Sequence, residues 1–219
     1  MSTFSATANG GSTIGYAQYG SSSWSTGSGN GACQGAYQGT TAAKSRVGVM
    51  VFNGAGAALQ GKIIQQISLS ITCSGAGSGS SGKVLTFHKA NYQSLNTSVR
   101  GSAQVGDTLG TLTGKFYSNT VTHNLNVSTN VALFSAMKAY FEAGNSALVL
   151  YNGETSSSSG YSSNYARVTS CTITVTYIDA VVWYCDGGTW KRCTVWYRTG
   201  GAWKQVVPYY NSGGVWVRV

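Results

Sequence analysis

The sequence predicts an all-β protein: an antiparallel β-sandwich carrying one short helix, followed by three β-hairpin repeats. Three observations point there. The 219 residues include 30 Gly and a single Pro, with Ser and Thr abundant, and these residues serve helix interiors poorly. Short apolar or alternating runs recur along the chain, separated by Gly, Ser and Asn turn signals. The last 39 or so residues repeat one pattern three times.

The strands are taken in order. Residues 1–43 are rich in Gly, Ser, Thr, Ala, Gln and Asn, and read as an extended, loop-rich part with one or two strands near Ser12–Tyr19. This part could also serve as a partner-docking segment. Arg46-Val-Gly-Val-Met-Val-Phe52, closed by Asn53-Gly54, is a short continuous apolar run and predicts a buried strand. In the next stretch Ile67, Leu69, Ile71 and Cys73 alternate with Ser68, Ser70 and Thr72, the signature of a half-buried strand. Residues 83–89, 107–116 and 120–126 predict three more strands. Over 131–144 the period changes. Leu133, Phe134, Met137, Tyr140 and Phe141 recur at helical spacing, with Ser128, Thr129 or Asn130 available to cap the start and Gly144 or Asn145 the end. Strands return at 146–151 and, after a Ser-rich loop, at 166–177. In the last of these Cys171, Ile173, Val175 and Tyr177 alternate strictly.

Composition bounds the function. With 42% hydrophobic and 12% aromatic residues the chain can bury a core, so it is not a disordered segment. Charged residues are 9%, with 14 Lys and Arg against five acids, a net charge of +9. The acids are Asp107, Glu142, Glu154, Asp179 and Asp186, and residues 1–106 contain none. This argues against a carboxylate-rich metal site or a catalytic acid pair in the first half. The basic surplus suits anionic polymers, but the cations are scattered, which argues against a nucleic-acid partner. The five cysteines (33, 73, 171, 185, 193) show no CxxC spacing and fit free thiols. The N-terminus has neither the charged nor the apolar part of a signal peptide, and no apolar run reaches membrane-span length. The expectation is cytoplasmic synthesis without a membrane span.

Ser45-Arg-Val-Gly-Val-Met-Val-Phe-Asn53, Leu59–Ile71, Phe134–Leu150 and Cys171-Thr-Ile-Thr-Val-Thr-Tyr177 follow the order and wording of the DNRLRE (disaggregatase-related) domains, which the chain resembles over most of residues 3–178. Asn53 and Ser170 depart from that family's pattern, which often has an acid and a Pro there. The resemblance implies a jelly-roll-like sandwich similar to carbohydrate-binding modules, acting in binding or structure. It implies a fold more than an activity.

The repeat occupies residues 179–219. Trp183-Tyr-Cys-Asp-Gly-Gly-Thr-Trp-Lys-Arg-Cys193, Trp196-Tyr-Arg-Thr-Gly-Gly-Ala-Trp-Lys-Gln-Val206 and Tyr209-Tyr-Asn-Ser-Gly-Gly-Val-Trp-Val-Arg-Val219 align at 13-residue spacing without gaps. Five of the six Trp lie here. Gly-Gly between two apolar runs predicts a two-residue hairpin turn, since both residues can take positive φ. That register sets Asp186 opposite Thr189, Cys185 opposite Trp190 and Trp183 opposite Arg192. It gives a first face of Trp183, Cys185, Trp190 and Arg192, then Trp196, Arg198, Trp203 and Gln205, then Tyr209, Asn211, Trp216 and Arg218. Cys185 and Cys193 fall on opposite faces, so no disulfide joins them. The candidate ligand-binding residues are Trp183, Trp190, Arg192, Trp196, Arg198, Trp203, Trp216 and Arg218. Such aromatics either stack on sugar rings beside hydrogen-bonding side chains or bury area between hairpins and between subunits.

Nothing in the sequence specifies catalysis. His88 and His123 sit in predicted strands without nucleophile spacing, Cys73 and Cys171 occupy inward strand positions, and no P-loop, dinucleotide, zinc or calcium motif occurs. Glu142 is expected at an exposed helix end and Glu154 as a solvated loop acid. The chain is therefore not expected to be an enzyme or to carry a cofactor or metal.

The aromatic-Gly-Gly-x-Trp hairpins resemble the C-terminal repeats of bacteriophage and prophage tail or fibre proteins. This implies a virion protein of tail-fibre, receptor-binding type, made in the host cytoplasm and adhering to host cell-surface glycan. Its partners would be other virion proteins and further copies of itself, as a trimer. The alternatives are a structural virion component such as a head fibre or decoration protein, a bacterial lectin-like surface module, and, disfavoured by the shortage of acids, a depolymerase.

Overall fold

The computed structural model describes residues 1–219 except 28, 38–44, 76–81, 156–159, 180–181, 194, 206–208, 213–214 and 219. Beyond residue 181, most strand side chains also lie outside the described set. The protein is mostly β, as the sequence predicts. Strands β1 (Ser2–Ala8), β2 (Ile14–Gln18), β3 (Trp24–Ser25), β4 (Ala32–Ala36) and β5 (Ser45–Val51) come first. Helix α1 (Ala55–Leu59), β6 (Lys62–Cys73), β7 (Lys83–Ala90) and α2 (Gly101–Gln104) follow. Then come β8 (Val105–Gly114), β9 (Thr120–Leu125), α3 (Val131–Glu142), β10 (Ala147–Leu150) and β11 (Ala166–Asp179).

All pairings among the described residues are antiparallel. One layer has β11 at its centre, with β1 on one edge and β6 then β9 on the other. The second runs β8, β7, β10, β5, with β2 and then β3 beyond β5. Strand β4 joins the layers: its first half pairs with Ala166–Val168 of β11 and its end with Ser45 and Arg46 of β5. The crossing passes through Gly35, whose φ is +79°. A Cβ there would stand 2.6 Å from Ser162 Oγ and 2.8 Å from Tyr165 Cα, so the position requires glycine.

The inward faces of both layers meet in one core. Ile67, Leu69, Ile71 and Cys73 of β6 and Cys171, Ile173 and Val175 of β11 pack with Met50, Phe52, Leu85, Phe87, Leu148 and Leu150 from the other layer. The alternating serines and threonines lie on the opposite face and form hydroxyl pairs. Thr7 and Thr172 are 2.8 Å apart, and Thr72 and Thr120 are 2.9 Å apart. This use of cross-strand hydroxyls explains how so many Ser and Thr fit a stable sheet. The run 47–52 carries no polar side chain because β5 is covered on both faces. Val47, Val49 and Val51 pack under Tyr19, Trp24, Leu95, Val105 and Tyr151. Trp24 is only partly buried, and its indole N–H donates to Val99 O at 2.9 Å.

Helix α3 closes the core with Leu133, Phe134, Met137, Tyr140 and Phe141, the residues its periodicity selects. Asn130 stands at its start with φ +52° and makes no side-chain cap. Gly144, at φ +89°, ends it. Helices α1 and α2 are additional to the single helix expected. At five and four residues they are too short to establish a period.

Two sequence expectations are corrected. The N-terminal part, expected as extended chain and loops with one or two strands, holds four, and β1 through β4 join both layers. Glu142 is not at an exposed end. Its side chain is 9% exposed, pairs with Lys138, and accepts from Ile64 N–H at 2.8 Å. Among the described residues no helix is long and apolar enough to cross a membrane.

Candidate functional site

The repeat forms three separate two-stranded sheets. Strands β12 (Val182–Asp186) and β13 (Thr189–Cys193) form the first, β14 (Trp196–Thr199) and β15 (Ala202–Gln205) the second, and β16 (Tyr209–Ser212) and β17 (Val215–Arg218) the third. Gly187 and Gly188 have φ of +57° and +81°, and Gly200 and Gly201 +56° and +81°. Both central residues are left-handed, the turn that matches strand twist and that Gly-Gly permits without strain. The third Gly-Gly, 213–214, lies outside the described residues.

The register is the one the sequence predicts. Trp183 stands opposite Arg192, Cys185 opposite Trp190 and Asp186 opposite Thr189. Trp196 stands opposite Gln205 and Arg198 opposite Trp203. Tyr209 stands opposite Arg218 and Asn211 opposite Trp216. Paired residues share a face, as do residues two apart on one strand. The second hairpin therefore presents Trp196, Arg198 and Trp203 together, with Gln205 paired opposite Trp196 in the register. Trp196 is 53% exposed and Trp203 65%, and Arg198 is exposed beside them. The side chains of Trp183, Trp190, Arg192, Trp216 and Arg218 lie outside the described set; their backbone positions place them at the equivalent points of the other two hairpins.

Two exposed indoles flanking a guanidinium form a surface of defined chemistry. The indole faces are broad, apolar and electron-rich, suited to the C–H face of a sugar ring or to another aromatic. The guanidinium offers donors to hydroxyl, carboxylate or phosphate oxygens.

The polar features of the sandwich are mostly consumed by the fold. A groove of about 830 Å³ runs between β7, β8 and α3, past Lys89, Asp107 and Tyr140. Its amides Asn91 and Gln93 are engaged in holding backbone groups of the adjoining loops. His88 has Nδ1 2.9 Å from Gly106 O and Nε2 2.9 Å from Tyr151 O, so both ring nitrogens face main-chain oxygens rather than a reactant. His123 packs against Phe116, and burial holds its pKa below the ordinary value. Cys33, Cys73 and Cys171 are free and buried. Burial pushes the Cys73 and Cys171 thiols up to about 12, which keeps them protonated and unreactive.

Glu154 is not a solvated acid. It accepts from Asn164 Nδ2 at 2.6 Å, Asn164 N–H at 3.0 Å and Ser163 Oγ at 3.0 Å. Burial opposes its ionisation, but the hydrogen bonds from Asn164, Ser162 and Ser163 prevail and hold it below the usual carboxylate range. Among the described residues no three His, Cys, Asp or Glu side chains gather where a metal could bind.

Sequence reasoning missed Arg46 and Arg167. They are far apart in the chain, yet β4 brings the start of β5 beside the start of β11, and both guanidinium groups reach Tyr16. The signal that could have found them is the charge count, because the first half of the chain has cations and no acid to pair with them.

No protein-family model matches the chain, and no curated protein matches it. The fold defines an antiparallel β-sandwich with a hairpin-repeat region. The functional reading rests on the chemistry of its surfaces.

Proposed function

We propose that this protein is a receptor-binding virion component of the tail-fibre type, which adheres to host cell-surface glycan through its aromatic hairpins. The observation that carries the reading is the exposed Trp196–Arg198–Trp203 face. A soluble surface gains nothing from displaying two indoles unless something covers them. The sequence repeats the aromatic pattern in register on the other two hairpins, and a homotrimer would multiply it, so weak individual contacts add through avidity. The phage fibre assignment draws its support from the aromatic-Gly-Gly-x-Trp resemblance and the low-charge, Gly-, Ser- and Thr-rich composition. The role is adhesion without catalysis, with no cofactor, and the site of action is the virion after assembly in the host cytoplasm.

A second reading is favoured by the hairpins being separate two-stranded sheets. Isolated hairpins are marginal in water and gain from packing on something larger. In that reading the tryptophans join subunits of a structural virion component. Pelleting of the labelled full chain with purified wall glycan, in competition with soluble glycan fragments, separates the two. Saturable pelleting that the fragments reverse supports adhesion. Failure to pellet with the glycan of any tested host, with a stable trimer by light scattering, supports assembly.

A further inference from the structure

We propose that the sandwich carries an oxyanion site formed by Arg46 and Arg167 around Tyr16, which takes the carboxylate or phosphate group of an anionic saccharide.

The geometry begins with β4. Arg46 pairs across from Gly35, and Arg167 pairs across from Cys33, so the two arginines flank the same strand on opposite sides. Both converge on one ring: the Arg46 guanidinium carbon is 5.2 Å and that of Arg167 6.0 Å from the Tyr16 centroid.

The charge here is uncompensated. Of the five acids, Asp179 pairs with Lys62, Asp107 with Lys89 and Glu142 with Lys138. Glu154 is held by Asn164 and Ser163, and Asp186 belongs to the first hairpin. Every segment outside the described sandwich residues also lacks an acid, since residues 1–106 have none and 156–159 are serines. The sandwich therefore has no carboxylate left for Arg46 and Arg167.

Their donors are also incomplete. The Nε atoms of both arginines are buried without a hydrogen-bond partner. The Tyr16 ring attracts the cations but offers its face rather than an in-plane acceptor. Both arginines are half-buried, and Arg167 also interacts with Tyr165 and Cys33; two neighbouring like charges with unmet Nε donors gain from an acceptor of opposite charge. An oxyanion supplies both the charge and the lone pairs, and guanidinium geometry favours it.

The surroundings suggest what the anion is attached to. Tyr16 belongs to a small cluster with Cys33, Tyr165 and Tyr37. Tyr37 stacks on Tyr161 at 4.5 Å, and Tyr161 is 41% exposed. An exposed ring at the margin of a cationic site suits a pyranose bearing an acidic group. Naming a glycan as the source rests on the adhesion reading; the oxyanion site does not.

The test uses the full chain and the arginine Nε–H resonances in NMR. Sodium glucuronate and glycerol 3-phosphate are the probes, with glucose as the neutral control. The expected result is a saturable shift of the Arg46 and Arg167 signals with one or both anions and none with glucose; the tighter probe identifies carboxylate or phosphate as the natural group. Arg46→Gln and Arg167→Gln each weaken binding about tenfold or more. Wild-type signals that do not shift saturably with either anion overturn the site, whether or not the variants fold. So does undiminished affinity in both folded variants. Anion binding without adhesion to wall glycan would leave the site standing and remove the glycan reading; adhesion without anion binding would do the reverse.

Discussion

The sandwich and the hairpin repeats use aromatic residues in opposite ways. In the sandwich, Phe52, Phe87, Phe116, Phe134 and Phe141 are buried, Phe52 meets Phe141 edge-on at 6.5 Å, and the indole of Trp24 is tied to Val99. In the second hairpin, Trp196 and Trp203 stand more than half exposed on a two-stranded sheet. The phenylalanines of the first region are covered by its own core, whereas the two indoles of the second hairpin are left uncovered. The glycines divide in the same way. Gly35 and Gly48 are needed because neighbouring backbone crowds them, whereas Gly200 and Gly201 have open space around them and are needed for turn geometry alone.

The largest expected effect breaks the sandwich. Phe52→Ala removes a buried ring from the shared core and should cost about 3–5 kcal/mol in denaturant unfolding. Trp203→Ala should stay within about 0.5 kcal/mol in the same assay, because its ring is exposed. Equal losses would mean that the hairpin tryptophan is core.

Glycine substitutions sharpen the contrast. Gly35→Ala meets both a left-handed φ and a crowded backbone, and should cost about 2–3 kcal/mol. Gly200→Ala meets left-handed φ in open space and should cost about 1 kcal/mol, confined to its hairpin. Thermal unfolding of the sandwich should move with the first and not with the second.

A smaller effect follows pH. The folded pKa of Glu154 lies below its unfolded value, so its contribution is present above about pH 4.3 and is lost as pH falls through the folded pKa. Glu154→Gln should lower stability by about 1 kcal/mol at neutral pH and flatten the acid limb of the stability profile. An unchanged acid limb would show that the Glu154 carboxylate contributes nothing by holding Ser163 and Asn164.

Elements with a long repeat of one period were legible in the sequence. The alternation in β6 and β11, the apolar run of β5 and the helical spacing of α3 each declared themselves, because burial selects side chains at the period of the backbone. The hairpin register was legible for a stronger reason: Gly-Gly fixes the turn, and the turn fixes every pair. Strands β1 and β3 were less so, since Ser, Thr and Ala in β1 buy stability through hydroxyl pairs with β11 that only the partner strand reveals. Glu142 and Glu154 were misread because Ile64 and Asn164, whose backbone and amide groups they accept from, are distant or loop positions that spacing does not expose, although the Lys138 partner of Glu142 is at helical spacing. Arg46 and Arg167 were invisible as a pair, for only the crossing of β4 brings them to one ring.

The adhesion proposal has the exposed hairpin tryptophans contact a ligand on the host surface. Its most direct test is binding of the full chain and of the Trp196→Ala/Trp203→Ala double variant to purified host wall glycan, with mass by light scattering and the melting temperature measured on both. Adhesion through these rings predicts at least tenfold weaker binding by the double variant, with the same mass and the same melting temperature. Undiminished binding by the double variant, or loss of binding only together with a change in mass, would contradict it and assign these tryptophans to assembly.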